Sequence, residues 1–106
     1  EYVTPNGKIK VIRNYTLKGE SGVDHKFDVA YKLNGRLRVL VDFFPTDSKD
    51  FTPLIFCIKM IDLKNEFRKL EGISYLLVVP PEERENRERL EKLFGNLGID
   101  YKIAIG

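Results

Sequence analysis

The chain has no tryptophan, one methionine, one cysteine and one histidine among its 106 residues. A single cysteine, Cys57, excludes an intramolecular disulfide. Together with the lone His25 it cannot furnish a Cys/His zinc site. No apolar run reaches the roughly 20 residues that a membrane helix needs. The longest, Leu54 to Leu63, is interrupted by Lys59. No excess of one charge exists either: 18 Lys and Arg face 16 Asp and Glu, for a net charge of +2. That balance argues against a polybasic coating protein and leaves room for a local basic patch. The opening Glu1-Tyr2-Val3-Thr4-Pro5 has no signal-peptide character, so the sequence predicts a cytoplasmic protein. A start at Glu1 fits a single domain, 1–106, excised from a longer chain. What is abundant is lysine, glutamate, isoleucine and valine, while glutamine is absent. That bias points to a heat-adapted source.

Apolar spacing predicts β-β-β-α-β-α-β. Lys8 to Lys18 reads as a strand, and Gly19-Glu20-Ser21-Gly22 as a turn. His25 to Leu33 and Arg36 to Phe44 form a hairpin around Asn34-Gly35. A helix follows from about Asp50 to Leu70, capped by Ser48 or Asp50 and stopped by Gly72. Ile73 to Val79 is apolar throughout, as a central strand covered on both faces would be. Pro80-Pro81 ends it. Glu82 to Leu97 is helical with a Leu90, Leu93, Phe94, Leu97 stripe, and Ile99 to Ile105 closes the chain as a strand. The fold class is α/β (α+β): a mixed sheet in which a three-stranded antiparallel meander precedes α-β-α-β.

The hairpin register carries chemistry. Phe27, Val29, Tyr31 and Leu33 share one face, as do Leu37, Val39, Val41 and Phe43. Those two apolar faces must coincide. A two-residue Asn-Gly loop pairs Leu33 with Arg36 and defeats this, so a three-residue loop with a bulge at Gly35 is expected. Asp28 and Asp42 then fall together on the other face, within reach of one small divalent cation, Mg²⁺ or Mn²⁺. The alternative is that each faces solvent or pairs with Lys26, Lys32 or Arg38.

Lys59 is a lone charge in a helix segment that is apolar nearly all round and therefore buried. It either pairs with Asp62, three residues on, or points into a cleft. Ser21, His25 and Asp28 do not form a hydrolase triad. They crowd into eight residues without a nucleophile elbow. Basic residues gather on the first strands (Lys8, Lys10, Arg13, Lys18, Lys26) and could meet phosphates.

The series Gly19-x-Ser21-Gly22-x-x-His25-x-Phe27-Asp28, a hairpin, Val41-Asp42, and then a helix carrying Lys59 and Asp62 resembles archaeal members of the restriction-endonuclease-like superfamily, the PD-(D/E)xK phosphodiesterases. The likeness spans Lys18 to about Ile105. It implies a restriction-endonuclease-like core whose first helix would lie before Glu1. It implies a Mg²⁺- or Mn²⁺-dependent deoxyribonuclease in which Asp28 and Asp42 are catalytic metal ligands. The family lysine follows the third-strand acid by two positions, where this chain has Phe44. Lys59 is the candidate replacement from the following helix. Ser21, His25 and Lys26 would be nucleic-acid contacts. DNA is the expected partner, with no membrane, and with a second copy or other domains of a longer chain as further partners. The alternative is a catalytically inactive relative that binds nucleic acid or protein.

Overall fold

A computed structural model of the chain describes residues 2–5, 7–70 and 72–106. Strands β1 (Tyr2–Thr4), β2 (Gly7–Lys18), β3 (Asp24–Leu33) and β4 (Arg36–Phe43) run first. Helices α1 (Thr52–Asp62) and α2 (Lys64–Lys69), strand β5 (Ser74–Val79), helix α3 (Arg84–Phe94) and strand β6 (Tyr101–Ile105) follow. The strands lie in sequence order in one six-stranded sheet. β1 to β4 are antiparallel, and β5 and β6 add on in parallel. The mixed α+β sheet expected from the sequence is present, enlarged by β1. That strand is three residues long and too short to signal itself. No described helix is long and apolar enough to cross a membrane.

Local boundaries differ where tertiary packing overrides sequence cues. The expected long helix is two helices, because Leu63 (φ −98°, ψ 0°) breaks the ladder while its side chain stays fully buried. Neither Ser48 nor Asp50 caps α1. Its N-cap is Phe51, Pro53 occupies the first turn, and the Ser48 hydroxyl instead donates to Glu83 at 2.8 Å. The second helix is shorter than expected and begins with a 3₁₀ turn at Pro81–Glu83.

The Asn34-Gly35 hairpin also differs. Leu33 does pair with Arg36. Asn34 (φ 51°) and Gly35 (φ 80°) are both left-handed, the conformation a two-residue type I′ turn needs. The register shift falls later, where Tyr31 pairs with Val39 but Lys32 with Leu37, so Arg38 is the extra residue of a β-bulge.

Among the described residues, the sheet has helices on one face only. On β5, Tyr75, Leu77 and Val79 are fully buried while Ser74, Leu76 and Val78 are half-buried. The expected cover on both faces is therefore not seen among the described residues. The covered face is only in part the one expected from the hairpin, since Phe27 and Leu37 of that face do pack on the core. Ala30, Leu40 and Phe44 face the helices, whereas Val29, Tyr31, Val39 and Phe43 line the open side. The reason is that β4 is apolar on both faces, so alternation alone could not choose between them. The helices choose the face that carries Asp42.

Candidate active site

Regular pairing is interrupted at the level of Asp28. In β2, Asn14 takes a left-handed conformation (φ 55°), and the ladder passes from Arg13–Val29 to Tyr15–Phe27 without it. Consequently Ile12 and Tyr15, on either side, both pack against the core. The β3–β4 ladder stops at Val29–Val41, and the next step sets Asp28 opposite Asp42. There the side chains take over from the backbone. Asp28 N–H donates to Asp42 Oδ1 at 3.1 Å, and Phe43 N–H donates to Asp28 Oδ2 at 2.8 Å. Opposed carboxylates on adjacent strands repel. These backbone donors soften the repulsion by binding the charged form.

Asp42 is 3% exposed, the one buried charged residue among those described. Its Oδ2 accepts from Lys59 Nζ at 2.6 Å and from the Tyr75 hydroxyl at 2.8 Å. Burying a carboxylate is tolerable only with such partners. Tyr75 is fully buried, and its phenol is pushed well above the usual range, first by burial and then by the Asp42 charge. It is a permanent neutral donor here.

Lys59 reaches this point from α1. Its Nζ also donates to the Lys26 carbonyl at 2.5 Å and lies 3.9 Å from the centre of the Phe27 ring. The ring face is electron-rich and favours the cation. The local expectation that Lys59 pairs with Asp62 is not met. Position 44 supplies no cation: Phe44 is buried and stacked on Phe56 of α1 at 5.3 Å between centroids.

Asp62 gathers the other residues singled out in the sequence. It accepts from Ser21 N–H (2.9 Å) and the Ser21 hydroxyl (2.7 Å), and its Oδ2 is 2.6 Å from His25 Nε2. Hydrogen bonding from His25, then from Ser21, holds the Asp62 carboxyl at about 2, below its usual 3.8. Ser21 and His25 meet on one carboxylate rather than on each other, so no nucleophilic relay forms. Gly19 is required alongside, since a Cβ there would overlap the Asp62 carboxylate. Lys26 contributes its backbone carbonyl to Lys59 while the residue itself is exposed.

Asp42 and Lys59 thus meet, with Asp28 joined to Asp42 through its backbone amide, while Ser21 and His25 cluster one turn further along α1. Asp28 is half-buried and borders a cavity of about 530 Å³ lined by Arg13, Asn14, Val29 and Phe43. A metal would find two carboxylates and no third acidic, histidine or cysteine ligand, since no such group of three exists among the described residues. Two carboxylates and several waters would serve Mg²⁺, but both oxygens of Asp42 already accept protein donors, so Asp28 is the more open of the two ligands. Asp28 Oδ1 takes no protein hydrogen bond among those residues. Tyr75 and Phe27 belong to the site and were missed in the sequence. The one available signal was a phenol inside an otherwise aliphatic strand, which needs a partner when buried. Comparison with protein-family models, with curated proteins and with solved structures gave no match to this chain.

Proposed function

We propose that this chain is a nuclease domain of the restriction-endonuclease-like kind, hydrolysing phosphodiester bonds in DNA with Mg²⁺ or Mn²⁺. One observation carries the reading. Lys59, on a different element from the family lysine, brings its ammonium to 2.6 Å from Asp42, opposite Asp28. Asp28 and Asp42 would hold the metal, which supplies Lewis-acid activation of water and phosphate. Lys59 offers a fixed positive charge for the developing charge on phosphorus oxygens. The exposed Lys26 and the Arg13 rim of the Asp28 cavity offer cations for the DNA backbone. Ser21 and His25, pinned by Asp62, shape the neighbouring turn.

A second reading, a relative that binds nucleic acid without cutting it, is favoured by the closure of Asp42. Its carboxylate already has three donors and is 3% exposed. Plasmid nicking with Mg²⁺ or Mn²⁺ separates the two. The wild type should convert supercoiled DNA to open circles. Asp28→Asn keeps an acceptor for Phe43 N–H, so it should fold with an unchanged melting temperature yet nick at least about a hundredfold more slowly. A folded wild type that never nicks leaves the binding reading; equal nicking by both proteins removes Asp28 from the site.

A further inference from the structure

Helix α1 is not buried nearly all round, as its sequence suggests, for Leu54, Ile55, Ile58 and Ile61 are each more than half exposed. A better-defined feature lies toward the hairpin end of the sheet, where two irregularities meet at one cavity. The left-handed Asn14 brings Tyr15 and Leu17 to the helical side. The bulge at Arg38 sets Leu37 opposite Lys32 on that same side. Bulges re-aim side chains, and they gather beside functional sites. Between these residues and α2 lies a cavity of about 570 Å³, within the range of small-molecule sites. Its floor is the half-buried Tyr15, Leu17, Leu37 and Leu70. Its walls carry Lys32 from β3, Arg36 from β4 and Lys69 from α2.

The charges of the lining do not cancel. Glu66 is the one acid there, and Lys69 already faces it at 3.5 Å. Lys32 and Arg36 have no carboxylate partner among the described residues. Lys32 instead has Lys10 directly across on β2, and like charges so placed repel. Its ammonium lies 5.6 Å from the centre of the Tyr15 ring, near the outer limit of a cation–π contact, so it is only loosely held. An anion between Lys32, Arg36 and Lys69 relieves the repulsion. Cations above an apolar, partly aromatic floor suit a ligand that is anionic at one end and flat and apolar at the other. We propose that this cavity binds a nucleoside phosphate, its phosphate on Lys32, Arg36 and Lys69 and its base over Tyr15, Leu37 and Leu70. A free nucleotide and a nucleotide of a single strand share this chemistry. None of these residues belongs to the Asp28, Asp42 and Lys59 group, so the cavity stands apart from the nuclease reading.

Amide NMR titration of the isotope-labelled chain tests this, in EDTA so that no divalent metal takes part. Thymidine monophosphate should shift the signals of Gly35, Leu37 and Leu70 with a Kd below about 1 mM, and leave those of Asp28 and Phe43 in place. Lys32→Gln combined with Arg36→Gln, both outside the buried core, should keep the wild-type circular dichroism and weaken binding at least about tenfold. Glu66→Gln should tighten binding, because it frees Lys69 and removes the one acid of the lining. Inorganic phosphate should bind at least about tenfold more weakly than the nucleotide, since it lacks the base. Pentathymidylate binding more than about tenfold tighter than the monophosphate supports the site with a strand as its source, and closer affinities support it with the free nucleotide. Three results overturn the proposal: no shift at Gly35 and Leu70 up to about 10 mM nucleotide, phosphate binding as tightly as the nucleotide, or undiminished binding by the Lys32 and Arg36 variant. Shifts confined to Asp28 and Phe43 overturn it as well, while sparing the nuclease reading.

Discussion

Lys59 satisfies three acceptors at once: the Asp42 carboxylate, the Lys26 carbonyl and the Phe27 ring. Its side chain is 14% exposed and that of Asp42 is 5% exposed, so the pair is largely shielded from water. Removing one partner of such a pair strands the other. Lys59→Met preserves the aliphatic stem but leaves Asp42 with the Tyr75 hydroxyl and the Asp28 amide alone. The expected cost is about 3 kcal/mol, a fall in melting temperature of roughly 10 °C or more. Adding Asp42→Asn should recover most of it, because the amide oxygen can accept from Asp28 N–H while the NH2 donates to the Tyr75 hydroxyl oxygen, with no charge left buried. A calorimetric double-mutant cycle measures this. A single Lys59→Met variant as stable as the wild type would mean that the pair contributes nothing.

At the scale of elements, α1 is held to the β2–β3 turn through Asp62. Besides its carboxylate contacts with Ser21 and His25, its backbone carbonyl accepts from Glu20 N–H at 3.0 Å. A carboxyl held at about 2 in the fold, against 3.8 ordinarily, stabilises the fold above pH 4, and that contribution drains away as pH falls toward 2. Asp62→Asn should therefore be less stable than the wild type near neutral pH, and the gap should close between about pH 4 and about pH 2. Urea unfolding across that window checks it. A gap that persists unchanged at pH 2 would place the effect in packing instead.

Much of this element structure was legible because strong local signals agree with the fold. The apolar run of β5, the Asn34-Gly35 turn and the stripe of α3 are examples. What was illegible depends on choices made elsewhere in the chain. Asn14 is of a type that tolerates the left-handed conformation, but no flanking turn residue marks it, and its conformation moves Tyr15 to the core side. Leu63 continues a helical pattern while breaking the helix, since its burial outweighs its propensity. Leu40 and Val41 are equally apolar, and only the docking of α1 and α3 decides that Asp42 faces inward. The partners of Lys59 followed from that decision. Asp62, three residues along, was the nearer carboxylate in sequence, but the turn carrying Ser21 and His25 claims it.

Over the whole molecule, the β3–β4 ladder ends where Asp28 and Asp42 lie on adjacent strands, and the helical layer delivers one cation to Asp42. Whether these groups form a cation site or only a buried ion pair is the central question for the chain. Titration calorimetry with Mn²⁺ answers it most directly, since it needs neither DNA nor turnover. The wild type should give weak single-site heats, as two carboxylates and water make a loose site. Asp28→Asn should give none above dilution, with its melting temperature intact. Equal heats from the two proteins, or none from either, would contradict a metal site at Asp28 and Asp42.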